Sequence, residues 1–270
     1  GLGRAAQLIS PNVAPFNNDG TYNYSGTLIG VMGNKVGQVG FNNPVIAFDQ
    51  NRSNSEVNHI IANGYVQLKP VKWATIRSAY GTDYILVDND LYSSPISGEG
   101  IGTVGSVSAI FNKNRRWVWT NTLQLDYTFG ENHTFGLLGG IEQQKSINNS
   151  YGLNRIGVTD PAFTNIQGNW QTPNTSGLGI GENYLYSEFG RLNYGFAKKY
   201  FISANIRRDG ASQLGNDGKY GTFYGGSFGW EITQEKFWES AKLDRIFSSF
   251  RLRASYGKVG NIAGLANYAS

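Results

Sequence analysis

The chain has 270 residues, 23 Lys and Arg against 19 Asp and Glu for a net charge of +4, 36 glycines and no cysteine. These figures exclude a disulfide scaffold, a thiolate metal site and a cysteine nucleophile, while aromatic residues at 14 % argue against disorder. No run approaches the roughly 18 apolar residues of a membrane helix, and a chain rich in Gly, Asn, Thr and Tyr is a poor helix former, so a β protein with long polar connections remains. The cations fall in scattered pairs, Arg115-Arg116, Lys198-Lys199 and Arg207-Arg208, rather than on one face, and no nucleic-acid partner is expected. Gly1 to Ser10 has neither the basic start nor the apolar core of a secretory leader. Either a leader has been removed or the chain is an internal piece.

In chain order, residues 1–57 read as loop. The run Ser10-Pro11-Asn12-Val13-Ala14-Pro15 and the cluster Asn17-Asn18-Asp19-Gly20 are turn formers. From Asn58 onward period-2 segments recur. Segments 59–68 and 72–82 form a weak pair joined by Lys69-Pro70-Val71. Segment 116–129 is the clearest strand. Trp117, Trp119, Asn121, Leu123, Leu125, Tyr127 and Phe129 share one face, almost wholly apolar, and Arg116, Val118, Thr120, Thr122, Gln124, Asp126 and Thr128 the other, almost wholly polar. A tight turn, Gly130-Glu131-Asn132-His133, leads to 134–145, and after a long connection 184–196 turns through Ala197-Lys198-Lys199 into 200–207. There Tyr200, Ile202, Ala204 and Ile206 oppose Phe201, Ser203, Asn205 and Arg207. Segments 220–232 and 249–257 repeat the alternation. Between them Thr233 to Lys242 reads as a short helix, with Thr233 as N-cap and Phe237 and Ala241 as an i, i+4 pair.

These strands number about eight, most of about 10–14 residues, whereas strands of soluble domains run about 5–6 and a tilted bilayer-crossing strand needs about 9–11. Tight turns alternate with long loops, expected over 83–115 and 146–183, as in outer-membrane barrels. The tight turns are expected on the periplasmic side. Tyr127, Phe129, Phe135, Tyr194, Phe196 and Tyr200 lie beside them, where an inner aromatic girdle belongs, and Trp117 and Trp119 would mark the outer interface. The expected fold is all-β: a transmembrane antiparallel β-barrel, of which this chain supplies about eight strands. Residues 1–57 are expected to be an extracellular loop region and 58–270 a partial barrel domain.

The sequence offers little catalytic chemistry. His59 and His133 fall at opposite strand ends, away from any triad or metal set. Gly100, Gly102 and Gly105 match a dinucleotide-binding spacing without the flanking strand and helix it needs. Asp88-Asn89-Asp90 reads as a solvated loop rather than a calcium site, and Asn174-Thr175-Ser176 matches a glycosylation acceptor that a bacterial outer-membrane protein would not use. No catalytic residue, metal ligand or cofactor is expected, and the chain is not expected to be an enzyme.

The polar faces say more. Arg191, Asn193, Asn205, Arg207, Arg251 and Arg253 all oppose apolar neighbours, which makes them candidate lumen-facing residues. Four arginines would crowd an eight-stranded interior unless carboxylates paired them, and Glu188 sits on the opposite parity. Among loop residues, Asn165, Asn169, Trp170 and Gln171 could stack on and hydrogen-bond a ligand.

Tyr194 to Gly215 reads Y-G-F-A-K-K-Y-F-I-S-A-N-I-R-R-D-G-A-S-Q-L-G. It is followed by Gly229-Trp230-Glu231-Ile232-Thr233-Gln234-Glu235-Lys236-Phe237 and by Leu252-Arg253-Ala254-Ser255-Tyr256-Gly257-Lys258-Val259-Gly260-Asn261. In order and spacing these resemble barrel segments of the SusC/RagA-like TonB-dependent transporters of Bacteroidetes. Ala211, Gln213, Leu214 and Thr233 depart from the family pattern, and Asn43-Pro44-Val45-Ile46-Ala47 resembles an upstream family loop. The match is specific over 186–261 and looser over 40–145. The resemblance implies a barrel of about 22 strands, a plug within it, a SusD-like surface lipoprotein as partner, TonB as energy source through regions absent here, outer-membrane lipid around it, and import of glycans or peptides. A SusC-like barrel kept as an assembly scaffold and a soluble β-sandwich that binds carbohydrate are the other functional readings.

Overall fold

The structure, a computed structural model, describes residues 13–24, 42–160, 162–168, 170–214, 218–241 and 247–260, with residues 3, 7, 9 and 11 besides. Its strands are β1 Arg52–Val71, β2 Ala74–Ser93, β3 Ser106–Phe129, β4 His133–Val158, β5 Trp170–Phe196, β6 Tyr200–Ala211, β7 Tyr220–Glu231 and β8 Arg251–Lys258. They form one sheet in chain order, an up-and-down arrangement that needs only hairpin connections.

The strands outrun the sequence expectation. β4 has 26 residues and β5 has 27, so the connections shrink from the expected 83–115 and 146–183 to 94–105 and 159–169. The extra length has no period-2 signature because polar side chains occupy both faces, as in Ser146-Ile147-Asn148-Asn149-Ser150. The ladder itself needs only backbone donors and acceptors. The first turn is also displaced. β1 runs through Pro70, next to its last residue, and the turn falls at Lys72 and Trp73, where the Trp73 carbonyl accepts from the Asp126 amide at 2.8 Å. The turn at 197–199 stands as expected. Ala197 and Lys198 both hold positive φ, 52° and 58°, as a tight hairpin of right-twisted strands demands.

Among the described residues of 1–57 the structure places a helix and the start of β1. Helix α1, Pro44–Gln50, starts on Asn43, whose side chain accepts from the Val45 amide, with proline at the first helical position. Asn43 donates through Nδ2 to the Pro15 carbonyl at 2.7 Å, and Asn17-Asn18-Asp19-Gly20 makes its expected turn, with Gly20 at φ 85°. Thr21 Oγ1 donates to Asp19 at 2.6 Å, a contact that lowers the Asp19 carboxyl below its ordinary pKa. Ser10 and Asn12 lie outside the described residues. The later helix, α2, is shorter than expected, Lys236–Ser240, after a 3-10 turn at Ile232–Gln234. Thr233 therefore caps nothing; its hydroxyl donates to Glu231 at 2.7 Å. Lys242 lies outside the described residues.

The chain divides into two compact units. The first takes Gly1–His59, Ile85–Asn114 and Asn148–Ile180. Its core is Tyr92, Val107, Val158 and Trp170, with Ile166 packed against it. Two arginines fasten its loops. Arg52 donates to both oxygens of Asp90 and to the hydroxyl and carbonyl of Thr164, and Arg155 donates to the Ile166 and Gly168 carbonyls. The second unit takes Ile60–Tyr84, Arg115–Ile147 and Gly181–Ser270. Its large apolar side chains stay exposed: Trp119, Ile206 at 55 %, Leu252 at 50 % and Tyr256 at 76 %, while Leu125 is half-buried. A soluble sandwich would wall these side chains in; here one face of the sheet carries them uncovered.

Candidate functional site

In the second unit the hydrogen-bond register sorts β5–β8 into two faces. Cross-strand partners share a face. One row reads Arg191, Asn205, Gly225 and Gly257, the next Asn193, Ser203, Ser227 and Ser255, and the next Gly195, Phe201, Gly229 and Arg253. Phe189 pairs with Arg207, and Glu231 with Arg251. All six candidate residues, Arg191, Asn193, Asn205, Arg207, Arg251 and Arg253, thus stand on one face. The alternate rows hold Leu192, Ala204 and Gly226, and Tyr194, Ile202, Phe228 and Ala254, an apolar surface on the other face.

Two of the four arginines are paired on the polar face. Arg207 donates through Nε to Asp209 at 2.7 Å and through Nη2 to Glu142 at 3.0 Å and Ser187 at 2.8 Å, with its guanidinium over the Phe189 ring. Thr120 donates to the other Glu142 oxygen at 3.2 Å, so the network crosses β3, β4, β5 and β6. Arg251 donates through Nε to Glu231 at 2.6 Å and stacks on Phe201, and Glu231 also accepts from Thr233 and Ser249. A charge-assisted bond of this kind is roughly twice as strong as a neutral one. Lys145 and Glu182 form a further ion pair. Arg191 and Arg253 have no ion-pair partner among the described residues. Beside Arg253 lies a concavity of about 720 Å³ lined also by Asp126, Asn193, Phe201, Ser203 and Ser227, its floor kept low by glycine and serine.

At the tight-turn end the apolar face carries a chain of rings. His133 lies 4.9 Å from Phe196, Phe135 4.8 Å from Tyr194, Phe196 6.3 Å from Tyr200 and Tyr200 6.5 Å from Trp230, centroid to centroid. Glu235, in the following connection, fastens this girdle by accepting from Tyr200 at 2.6 Å, Lys199 at 3.0 Å and Trp230 at 3.2 Å. Those donors, the Tyr200 hydroxyl first, hold its carboxyl at about 2. Trp230 and Glu235 were absent from the expected girdle; the G-W-x-I-T-x-E spacing, Trp230 to Glu235, is the signal that would have found them.

The loop candidates lie in the first unit. Trp170 is 5 % exposed, edge-on to Tyr92, and its indole donates to the Asn165 carbonyl at 3.0 Å. Asn165 is exposed, with its side-chain oxygen accepting from the Gln167 amide, and Gln171 is exposed. Asn169 lies outside the described residues.

No family model matches the chain. It is 28 % identical over 270 residues to the TonB-dependent receptor P26 of Formosa agariphila, an alignment covering 97 % of this chain and 26 % of that protein. It is 36 % identical over 78 residues to the TonB-dependent receptor SusC of Bacteroides thetaiotaomicron, covering 29 % of this chain and 8 % of SusC. Among solved structures it resembles the RagAB peptide importer in its closed-closed state, with a TM-score of 0.74 and 23 % identity over 94 % of this chain and 27 % of that one. By fold the chain is therefore part of an antiparallel β-barrel wall like that of the RagAB structure. Its sequence is similar to those of TonB-dependent receptors of the SusC type, and it spans about a quarter of the length of the curated relatives it matches from end to end.

Proposed function

We propose that the chain forms part of the wall of a TonB-dependent importer in the bacterial outer membrane. The importer brings in an oligomeric nutrient, a glycan or a peptide, received with a SusD-like surface lipoprotein, and does no covalent chemistry on it. The observation that carries this reading is the two-faced sheet of β5–β8, with arginines, asparagines and serines on one side and uncovered aliphatic and aromatic side chains on the other. A transmembrane barrel needs lipid on one face and an aqueous or plugged lumen on the other. In this reading Arg191, Asn193, Asn205, Arg207, Arg251 and Arg253 face the lumen, and the apolar face meets outer-membrane lipid. Residues 1–57 are extracellular and 58–270 span the membrane, with the turns at 130–132 and 197–199 in the periplasm. Asn165 and Gln171 are offered to the ligand, and Trp170 holds them in place from beneath.

Deletion of the gene tests the function. An importer's loss abolishes uptake and growth on one class of oligosaccharide or peptide as sole nutrient, and restoring the gene without the TonB-binding segment fails to rescue it. Unimpaired growth on all such nutrients, with the protein recovered bound to other outer-membrane machinery, would establish the scaffold reading instead.

A further inference from the structure

We propose that the apolar face of β5–β8 carries, at the end away from the tight turns, a binding site for the phosphate-bearing headgroup of an outer-leaflet lipid. The proposal rests on the reading of that face as lipid-facing. Charge is confined there. From Tyr186 on β5 to Lys258 on β8, the positions that share this face include only Glu188, Arg208 and Lys258 as charged residues, and the register gathers all three at one end. Glu188 pairs with Arg208, and Lys258 pairs with Tyr224 one row nearer the turns. The girdle row at Tyr200 is eight residues from Arg208. At about 3.3 Å per residue and a tilt of about 40° that is roughly 20 Å of membrane depth, close to the height of an apolar band. Charges placed there escape the cost they would carry at mid-depth.

The site is built rather than incidental. The Arg208 guanidinium lies 4.4 Å from the Tyr220 ring centroid. Tyr220 reaches it by lying across Gly210, where any Cβ would collide with the ring. Glu188 stands 4.0 Å from Arg208 Nη1, and its other oxygen accepts from the Tyr186 hydroxyl at 3.1 Å. This loose pair leaves guanidinium donors open, and the Arg208 side chain is 54 % exposed. Lys258 has no ion-pair partner among the described residues. Two cations against one carboxylate, with a planar fork among the donors, select a phosphate group. The same patch continues without a break into exposed Ile206, Tyr224 and Tyr256, which selects a phosphate attached to acyl chains over a free one.

The test extracts the full receptor from its membrane in mild detergent and counts bound lipids by native mass spectrometry. Wild type is expected to retain a phosphorylated outer-leaflet lipid of the lipid A class. Arg208→Ala with Lys258→Ala is expected to retain about 25-fold less, roughly fivefold per cation. Arg208→Lys with Lys258→Arg should keep most of it, and Glu188→Gln should keep more than wild type. Phosphatidylcholine vesicles with and without added lipid A provide the second readout, and millimolar inorganic phosphate should leave binding intact. Equal retention by wild type and the double alanine variant overturns the site, as does displacement by inorganic phosphate. A receptor that never enters the vesicles overturns the lipid-facing reading with it.

Discussion

The two units reach stability by opposite means. The first buries its apolar groups, Tyr92, Val107, Val158 and Trp170 packing against one another, and it spends its arginines on loop carbonyls at Thr164, Ile166 and Gly168. The second is inside out. Its aliphatic and aromatic side chains are exposed, and its best-satisfied interactions are the polar ones around Arg207 and Arg251. In the first, hydrophobic burial organises the fold; in the second, polar satisfaction on one face does, with the apolar face left uncovered.

The contrast can be broken by substitution, and the largest effect belongs to the first unit. Trp170→Ala removes the biggest side chain of its core and should cost about 3–5 kcal/mol locally. Hydrogen exchange would show 159–168 losing protection while β6 and β7 keep theirs. In the second unit Ala204→Arg, at mid-face, should cost about 2–4 kcal/mol, whereas Asn205→Arg, one residue away on the polar face, should fall within about 0.5 kcal/mol. Urea unfolding of the receptor in bilayers reads both. Equal costs at 204 and 205 would erase the distinction between the faces.

A smaller effect sharpens the polar side. A Cβ at Gly140 would stand 2.5 Å from the Phe189 ring and 2.9 Å from the Asn121 carbonyl. Gly140→Val should therefore cost about 1–3 kcal/mol by overpacking, and it should loosen Arg207, whose guanidinium rests on that ring. The smallest effect is electrostatic. The Glu235 carboxyl is held at about 2, below its ordinary 4.5. Its bonds to Tyr200, Lys199 and Trp230 thus support the fold fully above about pH 4.5 and fade as pH falls toward 2. Trp230 fluorescence followed from pH 6 to 2 should track that loss, and Glu235→Gln should flatten the profile.

What could be read from sequence follows the same division. The faces of 116–129, 200–207, 220–232 and 249–257 were legible because apolar and polar side chains alternate along them. The Arg207 network was half legible: the need for carboxylate partners could be stated, but Glu142, 65 residues away, becomes a neighbour only through strand register. The long strand extensions were illegible, since a ladder with polar groups on both faces leaves no periodic trace. Helix α1 carried its signal in Asn43-Pro44, an N-cap followed by proline, obscured by the turn-forming residues before it. Trp170 looked like a ligand platform because a tryptophan among Asn and Gln reads the same whether its ring faces solvent or a four-residue core.

The alternation along β6 is the central claim, and no cysteine among these 270 residues competes with a label placed there. Single cysteines at 202 to 207 in the full receptor, spin-labelled and reconstituted in bilayers, report collision with oxygen from lipid and with a nickel chelate from water. Sites 202, 204 and 206 should respond to oxygen, and sites 203, 205 and 207 to the chelate or to neither. Uniform accessibility along the strand, or oxygen favouring the odd sites, would contradict the account.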